Sequence, residues 1–160
     1  MRLYRRDGVA AACLELQDRR HLDVNLLLYC CWLGSRGVAL DRRRIALTDR
    51  RIRRWRTRLI APLRRLRRDL KDDPLGMAPA AVVSLRRQLA KAELAAEKMA
   101  QVTLAEHAPQ GGRIRPDAAM TQARHNLLVY LAHAGVLPKR REHHALAALL
   151  AGMAKAARGR

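Results

Sequence analysis

TDRRIRRWRTRLIAPLRRLRRDLK, residues 48–71, mixes apolar and basic side chains in a rhythm that suits one backbone period. Ile52, Trp55, Leu59, Leu63, Leu66 and Leu70 recur at intervals of three and four. At about 100° per residue this spacing gathers them on one side of an α-helix, whereas a strand would scatter them over both faces. The spacing therefore predicts a helix that starts at Thr48 as N-cap and runs to about Lys71. Pro62 lacks an amide donor, but the stripe keeps its phase across it, so a kink is expected rather than an end. Arg50, Arg51, Arg53, Arg54, Arg58, Arg64, Arg65 and Arg68 fall on the far side, and Arg56 and Arg67 flank the stripe, where their stems could lie over it.

The rest of the chain repeats the helical pattern. Of its 160 residues 49% are hydrophobic, enough for a core, yet Phe is absent and aromatics are only 3%, so Ala and Leu carry the apolar content. Ala and Leu favour helix, and the strand-forming residues are scarce. A first helix opens at Asp7 or Gly8 and ends near Arg20. Asp23 stands as N-cap before LLLYCCWL, which is apolar nearly all round and predicts the most buried helix, stopped by Gly34 or Gly37. DDPLGM at 72–77 reads as a turn, with Pro79 at the first position of a fourth helix that folds back antiparallel on the third. Val82, Leu85, Leu89, Ala92, Ala96 and Met99 form the expected stripe of this helix. A loop at 107–116 precedes a fifth helix capped by Asp117 and ended by Gly135, and a last helix covers about Arg141 to Ala157. The expected fold is all-α, a single-domain bundle of about six helices containing a long antiparallel hairpin. Residues 1–137 are taken as the helical domain, and 138–160 as a basic Ala-rich helix packed on it or partly mobile.

Several classes of function find no support in these residues. The longest apolar run, Val24 to Leu33, is too short for a bilayer, which needs about 20 residues. Asp7, Glu15 and Gln17 interrupt anything like the apolar core of a signal peptide, so a cytoplasmic location is expected. Cys13, Cys30 and Cys31 are odd in number and sit in apolar helical contexts, which reads as buried free thiols. His125, His133, His143 and His144 show no metal-ligand spacing with the cysteines, and the adjacent pairs Cys30/Cys31 and His143/His144 diverge on a helix. Glu15, Asp18 and Asp23 near Asn25 invite comparison with an acid–base pair, but carboxylates flanking a helix connection read first as caps or arginine partners. Gly111 and Gly112 lack the GxxxxGK pattern, and Ser35 lacks a nucleophile elbow. No enzyme and no cofactor is expected. Trp32 and Trp55 lie on apolar stripes and are assigned to core packing.

What remains is charge. Between Arg42 and Lys71 thirteen arginines and one lysine stand against Asp49 and Asp69, a local net of +12 within a whole-chain net of +19. A field that dense suits a polyanion, because each neutralised phosphate releases counterions and encounter is steered at long range. Arginine's planar fork fits phosphate. The candidate contacts are Arg50, Arg51, Arg54, Arg58, Arg65 and Arg68, with RNA ahead of DNA or an anionic membrane surface and with little sequence specificity, since no aromatic side chains alternate with the arginines. Two alternatives stay open: an acidic protein partner or a second copy docks on this helix, or the arginine face is merely solvated.

The block GVAAACLELQDRRHLDVNLLLYCCWLGSRGVAL, Gly8 to Leu40, contains LQD, DVNLLL and WLG in succession. It resembles the signature of a bacterial family of small helical proteins of unknown function. Trp55, PLR at Pro62 to Arg64 and NLLVYL at Asn126 to Leu131 are similar to that family too. Its members commonly carry a longer aromatic segment ahead of the first helix, where this chain has MRLY. The resemblance implies an all-helical cytoplasmic domain and brings no catalytic residues with it.

Overall fold

The computed structural model describes residues 3–158, with side chains through residue 154. A 3-10 turn at Leu3–Arg5 is followed by α1 (Val9–Arg20), α2 (Val24–Gly34), α3 (Arg42–Trp55), a π-helical turn (Arg56–Ile60), α4 (Ala61–Asp72), α5 (Pro79–Glu106), α6 (Pro116–His133) and α7 (Arg140–Arg158). With α3, the π turn and α4 counted as one run, the chain is all-α with six helices, and no strand occurs among the described residues.

The π turn explains how a helix passes Pro62 without ending. Proline offers no N–H to the carbonyl of Arg58, and its ring crowds that carbonyl. The backbone widens just before it, and the Ala61 N–H reaches the carbonyl of Arg56, five residues back instead of four. Two expected caps are corrected. Thr48 does not start α3, because Asp41 does so seven residues earlier: its carboxylate accepts the Arg44 N–H at 2.7 Å, while the Thr48 hydroxyl donates to the Arg44 carbonyl at 2.8 Å from within the helix. Asp117 lies inside the first turn of α6, whose N-cap position belongs to Arg115 because Pro116 already has the φ of a helical first residue. Asp23 does cap α2, accepting the Asn25 N–H at 2.7 Å.

By packing, the chain divides into two compact units, Met1–Thr48 with Ala108–Arg160, and Asp49–His107. In the first, α2 is the centre: Leu26, Leu27, Leu28, Tyr29, Cys30, Cys31 and Leu33 are all buried. It packs chiefly along α6, and α1 packs on α7. Gly34 marks the closest approach, for a Cβ there would overlap the backbone of Ala123 on α6. Beyond it Gly37 turns into the left-handed region at φ 72° and the Val38 N–H returns to the Leu33 carbonyl at 3.0 Å, the usual way of satisfying a helix end. Asn126, fully buried on α6, holds the segment after that turn: its Oδ1 accepts the Leu40 N–H at 2.8 Å, and its Nδ2 donates to the carbonyls of Val38 at 2.9 Å and Cys30 at 3.3 Å.

The three thiols in this unit are free and buried, and burial pushes Cys13 and Cys31 up to about 12 and Cys30 well above its ordinary value. Only thiolate is a competent nucleophile. Native protein at pH 8 should therefore react with a disulfide reagent over hours rather than seconds, while protein in 6 M guanidinium should titrate all three at once; a fast native thiol would place one of them at the surface.

Where α1 ends, Arg20 Nε donates to Glu142 Oε1 at 2.6 Å, and the other oxygen of Glu142 accepts the Lys139 N–H at 2.9 Å just ahead of α7. These hydrogen bonds, the Arg20 guanidinium first, bring the Glu142 carboxyl down from 4.5 to about 2. A carboxyl whose pKa is lower in the folded state stabilises fully above its unfolded value and loses that contribution as pH falls toward the folded one. Thermal stability should accordingly hold at neutral pH, fall as pH drops from about 4.5 to about 2, and fall less steeply in Glu142→Gln, as read by circular dichroism melts. An identical acid profile for the variant would deny this pair its role.

The second unit is a helical hairpin. α4 and α5 run antiparallel, since Arg64 meets Glu97 and Glu93 whereas Arg67 meets Glu93 and receives Arg86 Nε on its carbonyl at 3.2 Å. Between them Asp73 Oδ1 accepts the Leu75 N–H at 2.9 Å, Leu75 and Gly76 take positive φ, and Pro79 opens α5 at its first turn as expected. The expected stripe of α5 is rotated. Val82, Glu93, Ala96, Ala100 and Leu104 are buried, while Leu85, Ala92 and Met99 are exposed. The cause lies on α4, which turns Arg64 and Arg67 toward its partner, so the helix opposite must offer carboxylates at the centre of the contact.

Candidate polyanion interface

From Arg50 to Arg68 the arginines form two groups, an inner one held by buried carboxylates and an outer one of exposed side chains. Asp49, buried within α3, accepts Arg53 at 2.6 Å and Arg56 at 2.7 Å. Glu93, buried on α5, accepts Arg64 at 2.7 Å and Arg67 at 2.8 Å, and Glu97 accepts Arg64 as well. Burial alone would raise the Glu93 carboxyl, but the hydrogen bonds from Arg67 and Arg64 and their positive charge outweigh it and hold it below 4.5. Arg64, expected on the far side, belongs to this inner set, because the widened turn before Pro62 rotates α4 and brings Ile60, Arg64 and Arg67 onto the covered side. Leu66 is correspondingly exposed.

The outer group is made of the residues expected to meet a polyanion. Arg50, Arg51, Arg54, Arg58, Arg65 and Arg68 are all exposed. They extend over eighteen residue steps of helix, about 27 Å at 1.5 Å per step. Arg65 lies 3.6 Å from Asp69 with its side chain 84% exposed, a solvated pair that holds it only weakly. The inner pairs had a signal in the sequence that the apolar spacing overrode: Glu93 and Glu97, four apart, are the acidic residues of an α5 whose other charged side chains before Glu106 are basic.

Trp55 departs from the expected core position. It is 36% exposed, and its indole N–H donates to the Ala96 carbonyl at 2.9 Å, since the covered side of the run passes through Ile52, Arg56 and Ile60 instead. Trp32 is half-buried, with the Arg36 guanidinium 5.2 Å from its ring centroid. The ring of His125 meets the Leu40 carbonyl at 3.0 Å. Among the described residues no group of three His, Cys, Asp or Glu side chains could hold a metal ion, and no helix is long and apolar enough to cross a membrane.

No curated protein and no solved structure matches the chain. A family profile does, over residues 1–104, and the chain belongs to that family, described as protein of unknown function (DUF2390). The matched stretch takes in α1 to α4 and nearly all of α5, and so includes the whole arginine run.

Proposed function

We propose that this protein is a non-enzymatic cytoplasmic binding module that grips a phosphate backbone, foremost RNA, along Arg50, Arg51, Arg54, Arg58, Arg65 and Arg68. The observation that carries the reading is the sorting of charge. The carboxylates best able to neutralise the run, Asp49, Glu93 and Glu97, face the inner arginines, and the outer six stand in solvent on one stretch of helix. Such contacts position a polyanion without reading bases, so little sequence preference accompanies them. Free thiols accord with a reducing compartment.

Fluorescence anisotropy with a labelled single-stranded RNA at several salt concentrations tests this. Log affinity should fall with log salt at a slope on the order of −4, as about six phosphate contacts require. Arg54→Glu with Arg65→Glu should weaken binding at low salt at least tenfold and reduce the slope by about two. The melt should change little, because both side chains are exposed. If RNA does not bind at low salt, or binds the double variant equally well, the arginine face is not a nucleic-acid site.

A further inference from the structure

The rotation of α5 leaves a second surface on the hairpin. Leu85, Ala92 and Met99 recur every seven residues, as do Ala81, Gln88, Ala95 and Val102, and all seven are exposed. Together they make a seam with alternating spacings of four and three over three heptads, the pattern that packs against another helix. The alanines permit close approach, and Leu85, Met99 and Val102 are 46%, 57% and 55% exposed. Leu89, the remaining leucine beside the seam, is half-covered by the hairpin itself. The neighbouring run borders this surface at Trp55, which is 36% exposed and whose indole N–H reaches the Ala96 carbonyl. Apolar surface of this extent in a charged protein marks a docking site.

Charge decides what docks. Lys91 and Lys98, seven apart, border the seam on α5, and Arg51 and Arg58 stand one turn before and after Trp55 on the other wall. The exposed acidic residues of the hairpin lie away from the middle of the seam, Asp69 beside Arg65, Asp72 and Asp73 at the turn, and Glu106 at the end of α5. A second copy would bring lysine and arginine against lysine and arginine in a chain of net +19. We propose that the seam receives an amphipathic helix of another protein, with apolar side chains at its first and fourth heptad positions and carboxylates flanking them. This surface is separate from the outer arginines in Arg54 and Arg65 and shares Arg51 and Arg58 with them, so it extends the functional reading rather than restating it.

The probe is a synthetic 21-residue helical peptide with Leu at the first and fourth heptad positions and Glu at the flanking ones, paired with a version carrying Lys there instead. Titration of the full chain should show the Glu peptide binding at least tenfold more tightly than the Lys peptide, with a blue shift of Trp55 emission that is absent in Trp55→Leu. Leu85→Asp with Met99→Asp should lower affinity at least tenfold while leaving the melt and the RNA affinity unchanged. Arg54→Glu with Arg65→Glu should weaken RNA binding at least tenfold and spare the peptide, so failure of one reading is separable from failure of the other. Equal binding of the two peptides, no binding of either, or a seam variant that binds normally overturns the proposal. So does sedimentation equilibrium showing a dimer that the seam variant dissolves, which would give the surface to a second copy.

Discussion

Gly34→Ala should destabilise the first unit by about 3 kcal/mol or more, the upper end of what overpacking does. The added Cβ would fall on the Cα and amide nitrogen of Ala123, and both partners are helix backbone rather than the movable end of a side chain. Relief requires α2 and α6 to separate along their whole contact, which would loosen a helix buried on nearly every side. For a chain of this size the change corresponds to a fall in melting temperature on the order of 6–12 °C. Gly112→Ala is the control, for a Cβ there meets nothing within 4 Å. Circular dichroism melts of the two variants beside the parent settle the point. A Gly34→Ala protein that melts with the control would mean the two helices are not in backbone contact.

Asn126→Leu should come close to it. The side chain is fully buried and joins α6 to the carbonyls of Cys30 and Val38 and the amide of Leu40. Leucine of similar size fills the space but takes this partner from the Val38 carbonyl and the Leu40 amide, at about 1–3 kcal/mol for each that water cannot reach. A total near 3 kcal/mol is reasonable once some relaxation is allowed. Urea unfolding should show a lower midpoint with an unchanged slope, and hydrogen exchange should show the Leu40 amide losing protection before its neighbours. His125→Ala, which removes a single bond to the Leu40 carbonyl from a more exposed ring, should cost far less. An Asn126→Leu variant as stable as His125→Ala would show that water satisfies the segment from Val38 to Leu40.

Six helical runs are legible in the sequence because residue spacing reports burial wherever a helix covers apolar side chains with apolar side chains. Asp23, Gly37 and Pro79 mark their ends for local reasons that no tertiary contact overrides. The hairpin is harder to read, because its interior is not apolar. Ile52, Trp55, Leu59 and Leu66 look continuous on a uniform helix, but the widened turn ahead of Pro62 adds a residue to one turn and rotates all of α4. Arg64 and Arg67 then face inward, Glu93 and Glu97 answer them from α5, and Leu66, Leu85 and Met99 are turned out. A periodicity argument ranks arginine and glutamate as outward residues and has no means of recognising a pair that is covered together. The exposure of the outer arginines is legible because helical phase alone sets them away from the apolar stripe, and the inward turn of Arg64 is not, because its partner lies twenty-nine residues away.

The first unit is built from two stretches of chain with the hairpin between them, and this arrangement sets an order of events during synthesis. α2, apolar nearly all round, leaves the ribosome about ninety residues before Ala123 and the rest of α6, an interval of roughly 5–18 s at ordinary translation rates. The hairpin closes through contacts near in sequence and can complete itself within that interval. α2 cannot, and until α6 arrives its leucines are a target for chaperones and for other nascent chains. A ribosome stalled once α5 has emerged but α6 has not would hold a finished arginine hairpin and a naked hydrophobic helix on one chain, which makes the late segment from Pro116 onward the step that separates a soluble product from an aggregate.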